Sequence, residues 1–344
     1  MNLHPLLLSV TVVDVLGIGA LAAAVPTSAR VLLGWRPGDP SESQIALERG
    51  AELASAMARL GLALHVSASA LLLLAISYVL PGIVPGAMCG FGAVQAMPDG
   101  RVMLLLRGIS VLSLLAWAEV DRADRVTPTG ALAVSSARAL LATAPVAAVA
   151  VWTTVGSVAR VDVQTPVSCC AAVFDLARTS KPYGGIPYAG GMGVMSTMLT
   201  GIVLAVSALG LRRRTALERR AAPAAMLVVA TWAWTMLAFW TLVDVAAPYV
   251  YGVVGHRCPF CLLLPSHGIL GYVAYGSLGV VLVESLRAAV ARRMGLHRGA
   301  DAAFALRSSR SNLARMAVAI AVFLMASLGP ALMWRIREGV WITG

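Results

Sequence analysis

Charge is scarce in this chain. Of 344 residues only 12% are charged, and the single lysine is Lys181; soluble domains carry about 25% charged residues. No Walker loop, dinucleotide fingerprint or zinc-protease motif occurs, so the sequence offers no nucleotide site and no zincin-type hydrolase. The apolar stretches lack the strict apolar/polar alternation of a transmembrane β-barrel strand. A basic leader followed by a small-residue cleavage site is also missing, so the first apolar run reads as a retained helix. No soluble domain is expected at either end; a thioredoxin-like or cytochrome partner would be a separate chain.

What is present is hydrocarbon. The chain is 59% hydrophobic, with a mean hydropathy of +0.81. Its apolar residues come in runs of about 20, enough to cross roughly 30 Å of lipid. We expect an all-α, polytopic membrane protein forming one transmembrane domain over residues 1–344, with eight spans near 6–25, 57–80, 101–120, 137–158, 192–211, 222–247, 262–286 and 315–334. No internal repeat is evident.

The net charge of +11 would point to nucleic acid in a soluble protein. Here a nucleic-acid partner is not expected, because the cations sort by side of the membrane. With the N-terminus outside, 19 of the 27 Arg and Lys residues fall in the four inner segments, as positive charge on the cytoplasmic side requires. This places both termini outside and suggests a multi-pass protein of the bacterial cytoplasmic (inner) membrane. The basic segment 287–314 is expected on the anionic inner leaflet.

The same topology puts all five cysteines on the outer side: Cys89, the adjacent Cys169 and Cys170, and Cys258 with Cys261. Their loops are rich in Gly and Pro and poor in charge. Cys258-Pro259-Phe260-Cys261 is the strongest signal. At the start of a helix, such spacing sets two sulfurs within disulfide reach and lowers the first thiol's pKa. Pro259 suits a first helical turn. Pro265 implies either a short turn before the main helix or a kink. The pair could equally be a static disulfide or half of a zinc site. Vicinal Cys169 and Cys170 could close a strained, reducible ring or bind Cu(I) or Hg(II). Five is an odd number, so at least one thiol is free, metal-bound or paired between chains. Cys89 with Cys169 or Cys170 is the first pairing to test.

The run Cys258-Pro-Phe-Cys261-Leu-Leu-Leu, opening an apolar helix on the outer side, resembles the active-site helix of the vitamin K epoxide reductase family, and its logic is shared by the disulfide-bond-forming membrane oxidases of bacteria. The likeness covers about 25 residues, 256–280. It implies a redox-active disulfide formed by Cys258 and Cys261 beside a membrane quinone, with outer-loop cysteines passing electrons from a thioredoxin-like thiol protein. Those families have four or five spans and a separated loop-cysteine pair; this chain has eight expected spans and a vicinal pair.

Other residues could serve such a site. His267 could hydrogen-bond a quinone oxygen or help ionise Cys261; His256 is a second candidate of that kind. Asp244 and Arg107 could pair in the outer half and deliver protons to the quinone, or simply lock two helices. Asp14 lies mid-span. His65 could be an axial haem ligand, with His267 opposite. Met88, Met97, Met192, Met195 and Met198 could aid Cu(I) binding or fill irregular space. The leading expectation is a thiol–disulfide oxidoreductase of Cys89, Cys169, Cys170, Cys258 and Cys261, acting between an extracytoplasmic thiol partner and quinone. The alternatives are a soft-metal (Cu or Hg) carrier built on the same thiols and a non-catalytic subunit braced by disulfides.

Overall fold

A computed structural model describes residues 4–127, 129–167, 189–213, 222–252, 256 and 258–340. Cys169 and Cys170 lie outside the described residues. No β-strand occurs among them, and eight helices are long and apolar enough to cross a bilayer. The elements are α1 (Pro5–Gly34), α2 (Glu42–Leu74), the short α3 (Gly90–Gln95), α4 (Gly100–Val126), α5 (Ala133–Ala159), α6 (Ala189–Arg213), α7 (Ala222–Thr241), α8 (Leu270–Gly295) and α9 (Ala302–Glu338). Two helices widen at their C-terminal ends. A π-helical turn, Ala75–Val79, extends α2, and another, Leu242–Ala246, extends α7, which then runs on to Tyr251.

Local chemistry sets the helix starts. Pro5 begins α1, and the preceding His4 accepts from the Leu6 amide at 3.2 Å. Ser41 caps α2, with Glu42 in the first turn; Asp301 caps α9 by accepting from the Phe304 amide at 2.9 Å. These side-chain acceptors, a ring nitrogen and two oxygens, satisfy amides that a first turn leaves unpaired. α2 and α9 begin well before the apolar runs expected at 57 and 315, because helix-forming Ala, Glu and Arg continue the helix out of the lipid. α8 begins later than the expected 262. Two short 3₁₀ turns, Cys261–Leu263 and Pro265–His267, precede it.

The helices form two rings with the same connectivity. α1, α2, α4 and α5 each pack on the next and α5 returns to α1; α6, α7, α8 and α9 do likewise, with α9 returning to α6. This repeated plan is not legible as a sequence repeat. The rings meet where α4 packs on α8. Toward the C-terminal end of α4, buried Glu119 binds Arg287 of α8 at 2.9 Å and accepts from Ser308 of α9. Arg315 of α9 pairs with Glu284 of α8 at 3.0 Å.

The rings bury different things. In the second, Leu278, Val281, Met316 and Ile320 pack around Trp234, which meets Phe323 edge-to-face at 5.6 Å. In the first, an ion pair sits at mid-membrane. Arg107 donates to both oxygens of Asp14, at 2.6 and 2.8 Å, and to Ser69 at 2.8 Å and Thr154 at 3.3 Å. Arg107 therefore pairs with Asp14, not with Asp244 as the depth argument suggested. It locks helices, as a buried charge in lipid must be paired to persist. His65 joins this cluster. Its Nε2 lies 2.7 Å from the Ser110 hydroxyl and its Nδ1 3.5 Å from Asp14.

Candidate functional site

Three of the five cysteines converge at one end of the junction between the rings. Cys89 comes from the loop after α2, and Cys258 and Cys261 from the loop after α7. The Sγ atoms of Cys89 and Cys258 are 3.3 Å apart, and all three sulfurs lie within 4.8 Å of one another. No disulfide joins the three, and all are buried, Cys258 completely. Phe91, Tyr251, Phe260 and Leu264 close over them. Among the described residues Cys89 thus meets Cys258 and Cys261; the expected pairing of Cys89 with Cys169 or Cys170 falls on cysteines outside the described residues.

The backbone permits this approach at two glycines. A Cβ on Gly90 would fall 2.9 Å from the Phe260 ring and 3.1 Å from the Ile76 carbonyl oxygen, so only glycine lets the Cys89 strand press onto the other loop. A Cβ on Gly271, at the start of α8, would fall 2.2 Å from the Leu262 carbonyl oxygen. That contact folds the Cys258–Cys261 loop back over the helix.

Three tyrosines hold the loop's carbonyls. Tyr251 donates to Cys258 O at 2.7 Å, Tyr275 to Pro259 O at 2.7 Å, and Tyr272 to Leu263 O at 3.2 Å. They answer carbonyls that the non-helical loop would otherwise leave unpaired in an apolar place. The sequence reading passed over them, although Tyr272 and Tyr275 share one face of α8 by their spacing.

The motif does not itself open a long helix, and the Cys258 thiol is not the acidic one expected. A hydrogen bond from Cys261 pulls its pKa down, but the hydrogen bond to Cys89 and burial outweigh this and push it up to about 12. Cys261 is raised as well, first by its hydrogen bond with Cys258, then by Cys89 and burial. His256 and His267 flank Tyr251, with ring centroids at 4.5 and 5.0 Å. Burial lowers both histidines' pKa values, so at neutral pH neither brings a positive charge to the sulfurs. Cys258 and Cys261 thus favour the buried thiol form.

Of the other expected residues, Asp244 sits on the π turn of α7, half-buried. Arg107 is committed to Asp14. His65 is held by Ser110 in the first ring and His267 rests on Tyr251, so the two histidines face different surroundings. Val167, two residues before Cys169, is tied to the Cys89 loop by the hydrogen bond that its backbone N–H donates to Pro85 O at 2.9 Å. No known family, curated protein or solved structure matches this chain.

Proposed function

We propose that the chain is a membrane thiol–disulfide oxidoreductase that exchanges electrons between an extracytoplasmic thiol protein and membrane quinone at the outer face of a bacterial inner membrane. The observation that carries this reading is the meeting of three buried sulfurs from two loops that lie 169 residues apart in sequence. A purely structural bridge needs two cysteines; a third at contact distance allows a bridge to move. Closing Cys258–Cys261 forms one S–S bond and releases two electrons and two protons. Attack by the Cys89 sulfur on Cys258 then forms Cys89–Cys258 and frees Cys261 as a thiol, with no net change of electrons. Cys169 and Cys170 would be the pair that meets the soluble partner, and the anchoring of Val167 beside Cys89 supports that order.

A quinone would accept the two electrons and two protons. The residues present suit one. A cavity of about 560 Å³ lies against the outer end of α7, walled by Tyr249, Tyr251, Met333 and Trp334. The buried indole N–H of Trp334 has no hydrogen-bond partner, which fits a ring carbonyl. Tyr251 belongs to both this wall and the sulfur cluster. His267 and Asp244 remain candidates for proton handling, and Arg107 is dropped because Asp14 occupies it.

The test is to reduce the protein in lipid nanodiscs, add a soluble quinone, and map the cysteines by alkylation and mass spectrometry. The expected result is loss of two thiols, with Cys258–Cys261 and Cys89–Cys258 bridges both recovered, and only the first in Cys89→Ser. Full alkylation of all three cysteines after quinone would overturn the reading. A second reading, a Cu(I) site, is favoured by the mutual closeness of the three sulfurs, since thiolates suit that ion. It predicts one Cu(I) bound per chain with release of protons, lost in Cys89→Ser.

A further inference from the structure

We propose that a second binding site, for an organic cation bearing a hydrogen-bond acceptor, lies at the inner end of the first ring, across the bilayer from the sulfurs. A cavity of about 1000 Å³ opens there between α1, α2, α4 and α5, large enough for a drug-sized molecule. Its charged lining is Glu48, Glu52, Asp121 and Asp124 against Arg59 and Arg125. The chain has only 16 acidic residues under a net charge of +11. A surplus of carboxylates in one hollow, on the side that collects arginine, is a local reversal of the protein's field, and such a hollow concentrates cations.

Two unpartnered polar atoms refine the ligand. Asp121 is satisfied, taking Arg125 at 3.0 Å and the Ser55 hydroxyl at 2.5 Å. Asp124 is not: its Oδ1 is buried with no hydrogen-bond partner. A carboxylate oxygen in that position calls for a donor or a cation. Trp117 is only 2% exposed and lines the same cavity, and its indole N–H has no acceptor. Trp35 supplies a second indole, fixed by its N–H on the Gly130 carbonyl at 3.1 Å. Indole faces and carboxylates together suit an organic cation. The spare N–H asks for an acceptor on the same molecule. A bare metal ion would use neither the indoles nor the volume, and an anion would be repelled by the acids.

The experiment uses the full chain in nanodiscs and two matched probes. One is a dansylamidoethyl trimethylammonium; the other is its neutral isostere, with a tert-butyl group in place of the trimethylammonium. Energy transfer from tryptophan reads binding, with empty nanodiscs as background. The cation is expected to saturate and to bind about tenfold or more tightly than the isostere, as one desolvated charge contact allows. Asp124→Asn should weaken the cation about tenfold and leave the isostere unchanged. Trp117→Phe should weaken both about threefold to tenfold, because both carry the sulfonyl acceptor and lose one hydrogen bond. Should either variant fail to fold, Glu48→Gln with Glu52→Gln at the exposed rim is expected to weaken the cation alone, by about threefold. Absence of saturable binding, equal affinity for the two probes, or carboxylate variants that bind the cation like the parent would each overturn the site.

Discussion

The two four-helix rings share a connectivity and differ in their interiors. The first stores polarity: Asp14, His65 and Arg107 at mid-membrane, and an acidic hollow below them. The second is held by close apolar packing around Trp234 and Phe323. Each carries a π turn at the C-terminal end of its second helix, and each turn leads into a loop that delivers cysteine to the junction. Such turns shift the exit direction of a helix and often mark functional sites. The difference teaches a division of labour. One ring sets a directional ion pair among its apolar side chains, the other fills that level with Trp234 and Phe323 and keeps its own pair, Arg315 with Glu284, elsewhere along α8 and α9, and the sulfur site is assembled between them from one cysteine of the first and two of the second.

The sharpest way to break this comparison is to remove one partner of the ion pair. Arg107→Leu leaves the Asp14 carboxylate buried and alone, and should cost about 3–5 kcal/mol of stability, read by denaturant unfolding of the reconstituted protein. The double change Asp14→Leu with Arg107→Met should recover most of that loss, because no charge is then stranded. If the single change cost no more than a surface substitution, polarity would not be what holds the first ring. In the second ring the matching experiment is Phe323→Ala, expected to cost about 3 kcal/mol by opening a cavity. Phe323→Leu should cost about half of that or less, since packing, unlike ion pairing, scales with the volume removed.

The junction should respond differently from either ring. Gly90→Ala places a methyl group 2.9 Å from the Phe260 ring, and overpacking of this kind costs about 1–3 kcal/mol. The loop can yield where the ring cores cannot. The expected result is therefore a parted Cys89–Cys258 contact: alkylation of Cys89 should speed up about tenfold, while the unfolding of both rings stays close to the parent's. Slowed or unchanged alkylation would show that the sulfur contact does not depend on this close approach.

These features were unequally legible in the sequence. The eight helices were, because lipid demands runs of about 20 apolar residues and tolerates no other interior. That Cys89, Cys258 and Cys261 share one side of the membrane followed from the even number of spans between them; that they touch did not. The partners did not follow. Arg107 lies at a depth that fits Asp244, but depth is one coordinate, and the ring arrangement, which decides that Asp14 is the neighbour, is a property of packing. Cys89 meets Cys258 for the same reason. The start of α8 was misplaced because Leu262, Leu263 and Leu264 read as lipid-facing helix. They are instead spent in short turns that Pro265 and the Gly271–Leu262 contact enforce. The three tyrosine donors carry no motif. Only the unpaired carbonyls of a buried, non-helical loop reveal what they are for.

The smallest expected effect tests whether the junction opens on its own. Tyr251→Phe removes the donor to Cys258 O and should ease local opening of that loop by about 1 kcal/mol, close to fivefold, leaving both rings as they are. The pH dependence fixes the interpretation. The folded cluster holds Cys258 as a thiol up to about pH 12, while a free thiol ionises near 9.0. A raised acid pKa means that the closed form is fully favoured below the open-state value and loses its advantage as pH climbs from 9 toward 12. Alkylation of the resting protein should therefore keep rising by about tenfold per pH unit beyond pH 9, where an exposed thiol levels off. Tyr251→Phe should lift that line without changing its slope. A plateau near pH 9 would mean that Cys258 is reached without opening the cluster, and the junction would then be an exposed thiol surface rather than a closed relay.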